Sequence, residues 1–127
     1  MNWLGHVMIR VKLSGPKGSA EREALVDTGS TTSSVPADVA EILGLQLSGH
    51  KPVKSFTGVT NTPWVRELRI EIMGRAITTD AIIAPAGSQT IVGCRQLEAL
   101  NLIVRPGKKD VVFDEQVPRG RPGRYHR

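Results

Sequence analysis

Residues 24–30 read Ala-Leu-Val-Asp-Thr-Gly-Ser, so an apolar run delivers the carboxylate of Asp27 directly into a glycine turn. Burying a carboxylate costs free energy unless it is hydrogen-bonded or neutralised. Gly29 lets backbone amides approach the carboxylate closely, and Thr28 and Ser30 add hydroxyl groups. Such a site can hold an aspartate at a tuned pKa, as acid–base chemistry requires.

Two other interpretations of this stretch stay open on the tripeptide alone. Asp27 could simply start a turn, since Asp, Thr, Gly and Ser are all common loop residues. Phosphate-handling enzymes also place an acid, a glycine and a hydroxyl side by side. Those enzymes need a larger fold and further motifs, which this sequence lacks.

Short predicted strands surround the stretch. Residues 7–13 alternate apolar and polar, which is typical of a half-buried strand, and the turn cluster 14–18 leads into a second strand that ends at Val26. Further strands are predicted as a hairpin within 51–73, whose turn lies near 58–62, and at 76–84, 90–93, 102–104 and 111–113. This pattern predicts a mostly-β domain, a small closed β-barrel.

One or two short helices complete the predicted fold. Pro36 is suited to a helix start, and the apolar residues Val39, Ile42 and Leu43 form one stripe over residues 37–43. Gly44 is a natural stop. A second short helix is predicted over 95–100. Because only 4% of the residues are aromatic, the core is expected to consist of Val, Ile, Leu and Ala.

The charge is concentrated at the C-terminal end. The net charge is +5, but residues 117–127 carry four Arg and no acid, and the rest of the chain has 13 bases against 12 acids. Such a body is unlike a nucleic-acid-binding surface. We therefore assign 1–116 to one domain and 117–127 to a basic, disordered tail, through which nucleic acid would bind only weakly.

Cysteine and histidine usage exclude several classes of site. Cys94 is the only cysteine, so no intramolecular disulfide can form and a reducing, cytoplasmic location is expected. Cys94 could be a small buried hydrophobe or a redox-sensitive thiol. The three histidines lack metal-ligand spacing, so we expect no metal and no cofactor. No run resembles a signal peptide or a membrane span.

The stretch from Leu25 to Ser30 resembles the LVDTGS motif of the retropepsin-like aspartic proteases. The similarity extends from about residue 5 to 113. It includes the hydroxyl-rich run 31–34, Pro36, the short helix, a hairpin around Gly58, and the apolar-apolar-Gly motif 91–93 before a second helix. The resemblance implies an aspartic endopeptidase fold and a peptide or protein substrate.

The resemblance also implies a mechanism and a homodimer. An aspartic protease uses two carboxylates about 3 Å apart that share one proton, and this sequence has one Asp-Thr-Gly. Asp27 would therefore be the catalytic residue of each copy in a symmetric dimer. Thr28, Gly29 and Ser30 would support the loop: Thr28 would bond across the dimer axis, and the Ser30 hydroxyl would donate to the carboxylate and lower the dyad pKa values.

The resemblance further assigns a flap and a cleft. Thr57, Gly58 and Val59 would form the tip of the flap, with Trp64 packed at its base, while Ile83, Ile91 and Val92 would line the cleft. In many retroviral members an arginine directly follows the apolar-apolar-Gly motif. Here Cys94 intervenes, so Arg95 is displaced by one position and its bracing of the active-site loop stays open.

Two other functions remain possible. A catalytically silent dimerisation or peptide-binding module could keep this fold, although such a module does not need an intact Asp-Thr-Gly-Ser. A nucleic-acid-associated protein could act through residues 117–127, in which case salt-dependent binding would disappear when those residues are removed.

Overall fold

The computed structural model describes residues 6–55 and 57–117. Of the predicted tail, 117–127, all but Val117 lies outside the described residues. No helix in the described ranges is long and apolar enough to cross a membrane. The elements are β1 (Val7–Gly15), β2 (Gly18–Asp27), β3 (Ser34–Pro36), α1 (Ala37–Leu43), β4 (Leu47–Ser55), β5 (Gly58–Ile72), β6 (Arg75–Ala84), β7 (Thr90–Gly93), α2 (Cys94–Ala99), β8 (Leu102–Arg105) and β9 (Asp110–Phe113).

Six strands close into a barrel. Their order is β1-β2-β7-β3-β6-β5, and β5 returns to pair with β1, for example at Leu13 and Ile70. The predicted small closed β-barrel with short helices is therefore confirmed. A register shift between Val65 and Leu68 bends β5. Its second half belongs to the barrel, while its first half pairs with β4, and this β4–β5 hairpin extends from the barrel.

The core is aliphatic, as the low aromatic content predicted. Every buried hydrophobic residue in the described chain is Val, Ile, Leu or Ala. In α1 the buried side consists of Val39, Ala40 and Leu43, whereas Ile42 is 54% exposed. The predicted stripe was wrong at Ile42, because Val39, Ala40 and Leu43 face the barrel while Ile42 points away from it.

One short strand was missed, and several element boundaries differ from the predictions. β3 was not predicted, because Ser34–Pro36 is too short to show an alternating pattern. α2 begins at Cys94, one residue early. The flap hairpin begins at Leu47, and its turn lies between Ser55 and Gly58 rather than at 58–62. Gly58, at φ 121, is already the first residue of β5.

The last two strands form a separate two-stranded sheet, β8–β9, which Arg75 fastens to the barrel. Its guanidinium lies 3.7 Å from the centre of the Phe113 ring and donates to the carbonyl oxygen of Leu100 at 3.3 Å. It also pairs with Glu115, and this hydrogen bond is the main cause that lowers the pKa of Glu115 to about 2. The C-terminal strands are thus held at the β5–β6 turn.

Candidate active site

The position of Asp27 follows from the pairing of β2 and β7. These strands run parallel, with Val26 opposite Val92 and Asp27 opposite Gly93. Val26 is buried in the core, and Asp27, the last residue of β2, is half-buried where the strand leaves the barrel. The backbone N–H of Gly29 donates to Oδ1 of Asp27 at 3.0 Å.

Asp27 lies in an open cleft of about 920 Å³, within the usual size of small-molecule and peptide-side-chain sites. The loop after β2 forms one wall, β4 forms the opposite wall, and β6 contributes one apolar residue. The lining residues are Asp27, Gly29, Ser30, Thr31, Thr32, Lys51, Pro52, Val53, Lys54 and Ile82.

The predicted cleft-lining residues need correction. Ile83 and Val92 are buried in the core, 8% and 1% exposed, and Ile82 lines the cleft instead. Successive side chains of a strand point to opposite faces, so the prediction chose the wrong member of the Ile82–Ile83 pair. Ile91 is half-buried and is not among the residues that line the cleft of one chain.

The predicted flap residues lie at the tip of the β4–β5 hairpin. Thr57, Gly58 and Val59 are all exposed, and Val59 is 67% exposed. The residues of this hairpin that reach the cleft are 51–54 of β4, which the sequence analysis did not single out. These residues read Lys-Pro-Val-Lys, a pattern that does not indicate that one strand of the hairpin forms a wall of the site.

Ser30 does not make the predicted hydrogen bond to the carboxylate. Its hydroxyl donates to the carbonyl oxygen of Thr32 at 2.8 Å, and its backbone N–H donates to the carbonyl oxygen of Asp27 at 3.1 Å. Ser30 therefore stabilises the backbone of the loop and does not bind the Asp27 carboxylate. The adjacent Thr28 is exposed.

Gly93 allows the backbone of this loop to pack directly against β7, because glycine has no side chain to keep the two apart. A Cβ atom on Gly93 would lie 2.7 Å from the carbonyl oxygen of Ser30 and 2.8 Å from that of Thr32. The N–H of Gly93 donates to the Ser33 hydroxyl at 3.0 Å, and the N–H of Cys94 donates to the carbonyl oxygen of Ser30 at 2.7 Å. The two sequence motifs, Asp-Thr-Gly-Ser and Ile-Val-Gly, thus meet backbone to backbone.

Comparison with known proteins agrees with this geometry. A sequence profile described as aspartyl protease matches residues 9–110. The chain belongs to the aspartyl protease family. Among solved structures, the protease of the retrovirus EIAV, in complex with the inhibitor HBY-793, is similar in fold, with a TM-score of 0.64 and 22% sequence identity over 79% of this chain and 92% of that one. A search of curated proteins finds no match.

In this member of the aspartyl protease family, hydrogen bonds join three polar side chains behind the active-site loop, residues 28–33 between β2 and β3. The Ser33 hydroxyl donates to Oε1 of Gln96 at 2.8 Å, and Nε2 of Gln96 donates to the Thr79 hydroxyl at 2.9 Å. Ser33 and Gln96 are each 1% exposed. Buried polar groups that are satisfied in this way fix one arrangement of the backbone around them. The sequence analysis missed Gln96, because its partners are remote in sequence.

Arg95, the arginine displaced by one position in this chain, does brace the active-site loop. Arg95 donates through Nε to the carbonyl oxygen of Thr31 at 3.0 Å and through Nη2 to Oδ1 of Asp80 at 2.9 Å. Burial acts to raise the pKa of Asp80. The hydrogen bond and charge of Arg95 outweigh that effect, helped by Lys51 and Thr79, and the pKa stays below its ordinary value.

Asp80 also connects this loop with the β4–β5 hairpin. Its Oδ2 lies 3.9 Å from Nζ of Lys51, and Nζ lies 4.7 Å from the centre of the Trp64 ring. Arg66 lies over the same ring at 5.1 Å. Trp64 is half-buried at the base of the hairpin, where its face contributes cation–π attraction to both cations.

The described residues contain no group of three or more His, Cys, Asp or Glu side chains that could hold a metal ion. The residues that line the cleft of one chain include a single half-buried carboxylate, Asp27, beside hydroxyl groups and lysines. Cys94 is half-buried and directly follows Gly93.

Proposed function

We propose that this chain is an aspartic endopeptidase that is active as a homodimer, with Asp27 of each copy forming the catalytic dyad. One observation carries the proposal: Asp27 is half-buried at the end of a core strand, bonded by the amide of Gly29, and opens into a cleft of about 920 Å³. Membership of the aspartyl protease family supports the same chemistry.

The need for a second copy follows from the single Asp-Thr-Gly in the sequence. A two-fold axis beside Asp27 would bring a second, identical carboxylate to it, since a symmetric dimer uses the same patch twice. Thr28 supports this arrangement. Its side chain is exposed next to Asp27, and its hydroxyl has no hydrogen-bond partner within residues 6–55 and 57–117, so it is available to the other copy.

In the proposed mechanism the two carboxylates, about 3 Å apart, share one proton because both cannot ionise at that distance. The ionised carboxylate acts as general base toward a water held between them. The protonated one polarises the carbonyl of the scissile peptide. The water oxygen adds to the carbonyl carbon and gives its proton to the ionised carboxylate, which forms the tetrahedral intermediate. The intermediate collapses when the leaving nitrogen takes a proton from a carboxyl group of the dyad and the C–N bond breaks, which releases an amine and a carboxylic acid. The hydrogen bond from the Gly29 amide to Oδ1 would hold the Asp27 side chain in place during the reaction.

The β4–β5 hairpin would act as the flap. Residues 51–54 already form a wall of the cleft, and the exposed tip at Thr57, Gly58 and Val59 would approach a bound peptide. Closure of such a hairpin excludes water and holds the substrate against the dyad. A location in the cytoplasm is part of this proposal and agrees with the single cysteine.

The test is digestion of a mixed peptide library by wild type and by Asp27→Asn, read by mass spectrometry. We expect wild type to cut internal peptide bonds and Asp27→Asn to cut none while keeping its circular dichroism spectrum. Transition-state-analogue inhibitors of aspartic proteases should block the wild type. Peptide binding without cleavage by the wild type would instead favour a catalytically silent module, and cleavage by Asp27→Asn would place the chemistry elsewhere.

A further inference from the structure

The charges that line the cleft are uneven in sign. Of its lining residues only Asp27, Lys51 and Lys54 carry a full charge. Both lysines lie on β4, on the wall opposite the active-site loop. A peptide bound between Asp27 and this wall therefore meets two cations on one side.

Lys51 is already engaged with the protein. Its ammonium lies 3.9 Å from Oδ2 of Asp80 and 4.7 Å from the centre of the Trp64 ring. Asp80 compensates its charge in part, although the same carboxylate also pairs with Arg95. Lys51 therefore contributes to the positive wall, but its position is fixed by contacts within the chain.

Lys54 differs from Lys51 in having no such partner. It is exposed at the mouth of the cleft, and its side chain makes no ion pair, hydrogen bond or ring contact within the described part of the chain. A lysine without a counter-ion beside a substrate groove is available to a carboxylate of the substrate. An ammonium is a compact, mobile charge, so it can reach Asp or Glu at more than one position.

We propose that this protease selects peptides with Asp or Glu side chains, and that Lys54 is the residue that recognises them. The inference rests on the proposed function. In a symmetric dimer each copy supplies one Lys54, so acidic residues are favoured on both sides of the scissile bond. Substrates rich in Lys or Arg, such as the basic residues 117–127, are disfavoured.

The size of the effect follows from the exposure of Lys54. An exposed ion pair contributes little binding free energy. We therefore expect a preference of about two- to fivefold in kcat/KM for each acidic residue. The preference weakens as salt is added, since the Debye length falls to about 3 Å at 1 M. It also disappears when the substrate carboxylate is protonated, below its ordinary pKa of about 4.3 for Glu.

The experiment uses matched synthetic peptides built on a sequence that the wild type cleaves. Each pair differs only by Glu or Gln at one position, scanned along the peptide. The enzymes are wild type, Lys54→Gln, Lys54→Glu and the control Lys108→Glu, which makes the same charge change in the exposed turn Pro106–Lys108, away from the cleft. Thermal unfolding confirms that all four are folded, and all are compared with the dimer saturated.

We expect wild type and Lys108→Glu to prefer Glu at one or more positions, Lys54→Gln to lose that preference and Lys54→Glu to invert it. Equal cleavage of Glu and Gln peptides by the wild type would overturn the inference and leave the protease activity standing. An unchanged Glu preference in Lys54→Glu would overturn the role of Lys54. If the wild type cleaves no peptide at all, the proposed function fails, and this inference fails with it.

Discussion

Arg95 and Asp80 form an ion pair in which Nη2 lies 2.9 Å from Oδ1. Through this pair the active-site loop, bonded by Arg95 at the carbonyl oxygen of Thr31, is connected with Lys51 in the middle of the β4–β5 hairpin. The Asp80 carboxylate thus connects the loop wall of the cleft, through Arg95, with the β4 wall, through Lys51. The loop and the hairpin belong to separate segments of the sequence, and the contacts of Asp80 and Arg95 join them.

Asp80→Asn should reduce both activity and stability. The substitution removes the charge that pairs with Arg95 and Lys51, and we expect a loss of about 1 kcal/mol in the free energy of unfolding at neutral pH, as for a partly exposed, charge-assisted contact. A fall of several-fold in kcat/KM should accompany it. Asp110→Asn, which breaks the Arg105–Asp110 pair outside the cleft, is the matched control and should leave kcat/KM unchanged.

The stability effect of Asp80→Asn should depend on pH with a defined sign. The pKa of Asp80 is lowered in the folded chain, so its carboxylate stabilises the fold at pH values above its unfolded pKa of about 3.9. That contribution is lost as the pH falls through the folded pKa. The urea unfolding curves of the two proteins should therefore begin to converge below about pH 4 and coincide once the pH lies below the folded pKa of Asp80. A difference that persists at that lower pH would show that Asp80 acts through packing.

Gly93→Ala should displace the active-site loop. A Cβ atom would approach the backbone of Ser30 and Thr32 to 2.7 and 2.8 Å, and backbone cannot move aside as a flexible side chain can. We expect a loss of about 1–3 kcal/mol in stability, as for overpacking in a core, with a large loss of kcat. Gly107→Ala has nothing within 4 Å of the new methyl group and serves as the control; equal behaviour of the two variants would contradict the argument.

Ser30→Ala should leave the pH profile of kcat/KM in place. The hydroxyl donates to Thr32 and not to the Asp27 carboxylate, so its removal does not change the hydrogen bonds of the dyad. The cost should be one ordinary hydrogen bond, about 1 kcal/mol of stability. An upward shift of the whole profile would mean that the hydroxyl turns toward the carboxylate in the active dimer.

Specific activity should depend on enzyme concentration. Because each chain supplies one Asp-Thr-Gly, dilution below the dimer dissociation constant should make the rate fall more steeply than linearly. Sedimentation velocity at the same concentrations should show the shift from dimer to monomer. A monomer that keeps its full specific activity at high dilution would refute the two-copy site.

The sequence predicted those parts of the site that depend on local patterns. Asp27 and Gly29 could be singled out because an apolar run leads directly into a glycine turn, and the barrel could be predicted because most strands alternate or end in turn residues. Ile83 was misplaced because residues 81–84 read Ala-Ile-Ile-Ala. Such a run is apolar on both faces and does not reveal which isoleucine points to the core.

The contacts that sequence reasoning missed join distant segments. The Ser33–Gln96 bond spans 63 positions and the Arg95–Asp80 bond spans 15, so no motif contains both partners. Asp80 was the available signal, since it is a charged residue in an otherwise uncharged stretch, 76–84. Its partner could not be identified without the register of β6.

The amides of Gly93 and Cys94 are two consecutive N–H groups that both donate into the active-site loop, to Ser33 and to Ser30. Exchange of such amides with deuterated solvent requires the loop to lift away from β7 or the region to unfold. The exchange rates of these two amides therefore measure how often the active-site loop separates from β7. Their exchange rates distinguish a ligand that clamps the loop from one that only occupies the cleft, without any label and independently of catalysis.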